Sequence, residues 1–111
     1  VRARKVEEDN IVFDSVHERD VYRDLKLQQR TGEISKLQVH PEFKFFVQGI
    51  LICKMKPDFT FHDKSDTLRV VDAKGFTKSM KTGKLLARVD REFHIKKNLM
   101  LACFGLTVEV R

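Results

Sequence analysis

Two short apolar runs each carry an acid at one end. They are Lys56-Pro57-Asp58-Phe59-Thr60-Phe61 and Leu68-Arg69-Val70-Val71-Asp72-Ala73-Lys74-Gly75, with 13 residues between Asp58 and Asp72. The intervening His62-Asp63-Lys64-Ser65-Asp66 is a polar turn signal, so the two runs are expected to pair as a hairpin. Alternate residues of a strand share a face. Asp72 and Lys74 therefore point the same way as Leu68 and Val70, and Asp58 points with Thr60, while Phe59 and Phe61 face a core. The hairpin brings the two acids to neighbouring positions. Carboxylates that close repel each other unless a cation lies between them. Mg²⁺ suits this place, being a hard ion held by one or two carboxylates, a carbonyl and waters. It would polarise a phosphate oxygen and lower the pKa of a bound water. Lys74 is placed to orient that water or to stabilise transition-state charge. The plainer alternative is a pair of solvated strand carboxylates matched by Arg69 or Lys74, with Lys74 a surface residue ending its strand.

Size and composition bound the rest. At 111 residues the chain is one domain with a single core. Hydrophobic residues make up 41% and nine are phenylalanines, enough to pack that core. No apolar run approaches 18 residues, which argues against a membrane span. The charged start, Val1-Arg2-Ala3-Arg4-Lys5, has no apolar stretch behind it and does not read as a secretory signal. Cys53 and Cys103 both lie in apolar runs and are expected to be buried reduced thiols, which suits a cytoplasmic protein. No Cys/His spacing suggests zinc. Lysine and arginine number 22 against 16 acids, a net charge of +6. That excess favours a polyanionic partner, nucleic acid above all, although basic charge also serves solubility alone.

The order of elements is expected to be α-β-β-β-α-β. Residues 1–12 show no period and read as a flexible basic arm, followed by one domain over 13–111. Ser15 is a good N-cap with Glu18 three residues on, and Val21, Tyr22 and Leu25 give an apolar face. Thr31-Gly32 ends this helix, with Gly32 as the residue just past the cap. A first strand starts near Ser35, breaks at Pro41 and resumes over Phe43–Val47. Gln48-Gly49 is a turn, and Ile50 to Phe61 reads as the second strand. Leu68 to Lys74 is the third. A basic polar segment leads to a second helix over about Leu85 to Phe104, with the stripe Leu86, Val89, Phe93, Met100 and Phe104. Gly105 ends it, and Leu106 to Val110 is the last strand.

With these residues placed, the chain resembles the PD-(D/E)XK nuclease superfamily. Pro57-Asp58 stands for the P-D and Asp72-Ala73-Lys74 for the (D/E)-x-K. The runs Phe13-Asp14-Ser15, Gly32-Glu33-Ile34-Ser35-Lys36-Leu37, Lys56-Pro57-Asp58-Phe59 and Asp72-Ala73-Lys74-Gly75-Phe76 resemble small phage-type endonucleases and, in layout, Holliday-junction resolvases. The resemblance covers about residues 13 to 110. It implies an α/β restriction-endonuclease-like core, a mixed central sheet flanked by two helices. It implies a Mg²⁺- or Mn²⁺-dependent DNA endonuclease, often a homodimer, acting in the host cytoplasm if phage-encoded. Many members add a glutamate on the first helix, and Glu18 falls at that position. The implied metal ligands are Glu18, Asp58, Asp72 and the Ala73 carbonyl, and the implied catalytic set is Glu18, Asp58, Asp72 and Lys74. Asp72 departs from the commoner glutamate, which leaves the metal preference open. Glu18 also has a plain reading, as the third residue of a capping box behind Ser15.

The remaining cations suggest where a substrate would lie. The segment from Lys74 to Lys84 leaves the acid pair directly, so Lys78, Lys81 and Lys84 are candidate phosphate contacts, with a solvated loop as the alternative. Lys96 and Lys97 follow Phe93 by three and four residues, which puts one of them near the acids; Arg88 could extend the patch. Gln38 and His40 share a face of the first strand, either as ordinary polar positions or within reach of the site. His17 and His94 read as surface residues. A domain this small has little room for base-reading elements, so structure-selective cutting of branched or junction DNA is expected rather than sequence-specific cutting. The alternative is a non-catalytic nucleic-acid-binding module with a nuclease-like fold.

Overall fold

One strand of the central hairpin sends neighbouring residues into two separate cores, one on each side of the sheet. The computed structural model describes residues 5–73, 76–78, 85–87 and 91–111, with backbone only for 76–78 and 85–87. The elements are β1 (Val6–Glu8), β2 (Ile11–Phe13), α1 (Val16–Arg30), β3 (Ser35–Val39), β4 (Phe43–Val47), β5 (Ile50–Met55), β6 (Phe59–His62), β7 (Leu68–Asp72), β8 (Phe76–Lys78), β9 (Leu85–Ala87), α2 (Arg91–Phe104) and β10 (Val108–Val110). Four strands form one mixed sheet in the order β10-β7-β6-β3. β10 runs parallel to β7, while β7, β6 and β3 are antiparallel in turn. The chain is therefore α/β, and the members of this sheet and its helices follow as α1-β3-β6-β7-α2-β10.

The two apolar clusters meet at β7, which gives Val71 to one and Val70 to the other. Phe59, Phe61 and Val71 pack with Phe13, Tyr22, Leu25 and Ile34 beside α1. Val70 and Val108 pack with Phe45, Met55, Phe93 and Met100 beside α2. Neighbours Val70 and Val71 thus enter opposite clusters, as the two-residue period of a strand requires. Asp72 lies two residues beyond Val70 and so falls on the α2 side. Phe13, Phe59, Val70 and Val71 are all fully buried.

Helix α1 begins and ends where its sequence directs. Ser15 Oγ accepts from the Glu18 amide at 3.1 Å. At the other end Gly32 takes a φ of 84°, and the amides of Gly32 and Glu33 reach back to Gln29 and Gln28. Such a left-handed exit costs glycine no steric penalty. The turn between β6 and β7 is built by Asp63, whose Oδ1 accepts from the amides of Ser65 and Thr67 at 2.9 and 3.0 Å.

Several expectations are corrected. Residues 6–13 are not an irregular arm: β1 and β2 pair as a hairpin around Asp9 and Asn10, both at positive φ. Two left-handed residues in succession make the turn whose twist suits a hairpin. Arg2 and Arg4 lie outside the described residues. The run from Ile50 to Phe61 is two strands, not one. Pro57 is fully buried and has no N–H to donate to a ladder, so the chain leaves β5 and re-enters a different sheet as β6. β5 instead pairs with β4 in a separate hairpin with a bulge near Phe45 and Phe46. The second helix starts at Arg91, and Leu85 to Ala87 pair with β8; short apolar runs fit either period. Phe93 and Met100 carry the stripe inward, but Phe104 is about half exposed. Both cysteines are free, but Cys53 is only partly buried and Cys103 is exposed.

The two-core division predicts unequal costs along neighbouring aromatics. Phe59→Ala removes a fully buried ring and should lower the unfolding free energy by about 3–5 kcal/mol in urea denaturation. Phe46→Ala, on a side chain 53% exposed, should cost less than about 1 kcal/mol. Equal costs would show that the hairpin β4–β5 is as deeply packed as the sheet.

Candidate active site

The acids meet because of the register of the central sheet. Phe59 lies opposite Val71 and Thr60 opposite Val70. One further step in the same register sets Asp58 opposite Asp72. On the other side Val39 lies opposite Phe59, and one step further the His40 amide donates to the Asp58 carbonyl at 2.9 Å. Val110 flanks Asp72 in the parallel strand, and the Arg111 amide donates to the Asp72 carbonyl at 2.9 Å. His40, Asp58 and Asp72 thus form one row across the end of three adjacent strands.

Each carboxylate in the row is tied to the backbone beside the other. Asp58 N–H donates to Asp72 Oδ1 at 3.1 Å. Ala73 N–H donates to Asp58 Oδ2 at 2.7 Å. This reciprocal pair holds both side chains in place and sets the Ala73 peptide against the Asp58 carboxylate. Asp72 is buried, with 4% of its surface exposed. Burial first, and then the charges of Asp72 and Glu18, push the Asp58 carboxyl up to about 8, against the lowering effect of the Ala73 amide.

Glu18 reaches the row from α1. It is the third residue of the helix, yet its carboxylate points inward and only 3% of the residue is exposed. His40 Nε2 lies 2.7 Å from Glu18 Oε1. The capping-box reading therefore holds only for Ser15, since the Glu18 side chain is engaged by His40. One ligand atom from each of Glu18, His40 and Asp58 lies within 4.8 Å of the others. His40 was the residue sequence reasoning undervalued. It stands just after β3 with a φ of 54°, a backbone state that the sequence around Pro41 does not announce. Gln38, weighed beside it, lines a separate depression with Thr60 and His62.

A cleft of about 290 Å³ opens on the Asp58–Asp72 side. Asp14, Met55, Lys56, Asp58, Asp72, Glu92, Phe93 and Lys96 line it. Lys96 is thus the member of the Lys96–Lys97 pair that shares a cleft with the acids, where it also pairs with Glu92 at 2.9 Å. Lys56, Asp14 and Glu92 were not singled out from the sequence, although Lys56 adjoins Pro57-Asp58. Lys74, Lys81 and Lys84 lie outside the described residues. So does the side chain of Lys78, whose backbone belongs to β8. His17 is not simply a surface residue, because its Nε2 lies 2.8 Å from the Arg111 carbonyl oxygen; His94 is exposed. No helix among the described residues is long and apolar enough to cross a membrane.

Residues 1–102 match the model of a family described as "protein of unknown function (DUF1064)". The chain belongs to the DUF1064 family. No curated protein and no solved structure matches this DUF1064 chain. The Asp58 carboxylate lies against the charges of both Asp72 and Glu18, and oxygen donors of Glu18 and Asp58 gather with one imidazole nitrogen of His40. Such a set fits a divalent cation, which would relieve both the repulsion and the burial cost.

The raised Asp58 carboxyl fixes a pH dependence. Its folded pKa of about 8 lies above the unfolded value of 3.8, so the folded state binds the extra proton between them. The metal-free protein should be steadier near pH 5 and lose stability as pH climbs through 8. Thermal melts in EDTA should show this slope, and Asp58→Asn should flatten it. A metal-free melting curve unchanged between pH 5 and 8.5 would contradict the strained carboxyl.

Proposed function

We propose that this DUF1064 chain is a metal-dependent DNA endonuclease of the PD-(D/E)XK type, with a restriction-endonuclease-like core, selective for branched or junction DNA. The observation that carries the reading is the interlocked pair Asp58 and Asp72, each accepting from the amide beside the other. Structural acids on two apolar strands gain nothing from facing each other. Ligands for a cation need that arrangement, and the P-D…D-x-K spacing supplies it. The net charge of +6 and the cleft lysines Lys56 and Lys96 suit a phosphodiester backbone.

In this mechanism Asp58, Asp72 and the Ala73 carbonyl would hold Mg²⁺ or Mn²⁺, with Glu18 contributing from α1. When bound, the ion would supply charge neutralisation for the scissile phosphate and an acidified water. Asp58 must lose its proton for loading, so a higher pH favours the loaded state. Lys74 orients the attacking water or meets charge building on the phosphate. Lys96 and Lys97, with Lys78, Lys81 and Lys84, hold the strands by their phosphates. A second copy of the chain would supply the second cut at a junction. Phage-type recombination in a host cytoplasm is the setting that the resemblance implies.

The test is cleavage of a labelled panel: single strand, linear duplex, flap, fork and four-way junction. Each substrate is run with Mg²⁺, Mn²⁺ or EDTA. Cutting should require metal, and Asp58→Ala, Asp72→Ala and Lys74→Ala should each reduce it at least about 10²-fold. Tight junction binding without cutting under any metal would replace this reading with a non-catalytic binding module. Wild-type rates in the Asp72 variant would discard the site. Binding should also weaken steeply with salt, and Lys96→Ala should shrink the slope of log affinity against log salt by about one.

A further inference from the structure

We infer that His40 is a direct metal ligand, so that Glu18, His40 and Asp58 form a mixed nitrogen–oxygen site that favours a first-row transition ion such as Mn²⁺ over Mg²⁺. This deepens the proposed function and rests on it, because Glu18 and Asp58 belong to both donor sets. The geometry comes first. The three ligand atoms lie within 4.8 Å of one another. Donors bonded at 2.0–2.2 Å to one ion sit roughly 3 Å apart when adjacent and about 4.4 Å apart across it. Small side-chain shifts would bring all three into that range. His40 is 36% exposed along its side chain and Glu18 4%, so the imidazole is the solvent-facing member of the set.

The backbone holds these donors before any ion arrives. Glu18 is fixed by the Ser15 cap at the first turn of α1. His40 is fixed by the bond from its amide to the Asp58 carbonyl. Asp58 is fixed by the Ala73 amide. Donors come from three separate elements, which is how a site gains a defined geometry.

The donor types set the selectivity. Mg²⁺ takes oxygen ligands and retains several waters. Imidazole suits first-row ions such as Fe²⁺ and Zn²⁺. Mn²⁺ is the weakest binder of that first-row series and shares with Mg²⁺ a liking for oxygen, but as a first-row ion it gains more from a nitrogen donor than Mg²⁺ does. In the metal-free protein His40 Nε2 faces Glu18 Oε1. Loading turns the Nε2 lone pair to the ion, with the ring proton carried on Nδ1 or released. The bland alternative is that His40 only partners the buried Glu18 charge.

Electron spin-echo envelope modulation of bound Mn²⁺ separates these, because it detects a directly bonded nitrogen. The wild-type protein should show strong ¹⁴N modulation that changes to the ¹⁵N pattern when histidine is ¹⁵N-labelled. His40→Asn keeps a residue tolerant of the left-handed backbone and should abolish the signal. By calorimetry it should weaken Mn²⁺ binding at least about tenfold while Mg²⁺ binding changes less than about threefold. His40→Gln serves as a second variant, with circular dichroism confirming that each remains folded. Mn²⁺ bound without nitrogen modulation, or bound equally well by folded His40→Asn, overturns the inference while leaving the Asp58–Asp72 reading intact. Failure of the wild-type protein to bind either ion overturns both.

Discussion

The pairing of Asp58 with Asp72 depends on one register, and so does everything near the site. β6 and β7 could slide by one residue only by moving Phe59, Phe61 and Val71 out of one core and Val70 out of the other. Those apolar side chains fix the register far more strongly than the acids disfavour it. The core therefore forces two carboxylates together that would separate if free to do so. The same register carries outward in both directions. It sets His40 beside Asp58 through β3 and sets the end of β10 beside Asp72. A row of chemistry at the sheet end is a consequence of hydrophobic packing in its middle.

That division of labour explains what could be read in advance. The hairpin was legible because its turn is polar, its strands alternate, and Asp63 closes the turn locally. Helix α1 was legible because Ser15 and Gly32 act within a few residues of themselves. The break at Pro57 was less so. Its neighbours on both sides are apolar, and a run such as Ile50 to Phe61 looks continuous. Only the missing N–H and the burial of the ring reveal that the chain changes sheets there. β1 and β2 escaped notice because three-residue strands are too short to show a period, and Asp9-Asn10 lacks the glycine that usually marks such a turn.

The site was legible to a similar depth. Asp58 and Asp72 follow from strand alternation and one turn. Glu18 could be placed at a helix start but not aimed, since a residue at that position can cap its own helix or turn inward. The direction is decided by a partner 22 residues away, His40. His40 itself depends on a left-handed backbone just after β3. Simple alternation groups His40 with Gln38, but that change of backbone state ends the alternation at His40, and Gln38 lines a separate depression.

Glu18, Asp58 and Asp72 also constrain each other energetically. A buried carboxylate is tolerable when hydrogen-bonded, neutralised or protonated. Asp58 accepts one backbone bond, which opposes protonation, yet burial and two neighbouring charges outweigh it. Glu18 draws on His40, whose ring is open to water and can leave at modest cost. The acids are thus held in a state whose burial and repulsion only protonation, hydrogen bonds or added positive charge can offset. Buried arginines in place of the open His40 ring would settle all three more firmly. The tension at Asp58 persists because the hydrophobic cores on either side of the sheet hold the strands in line.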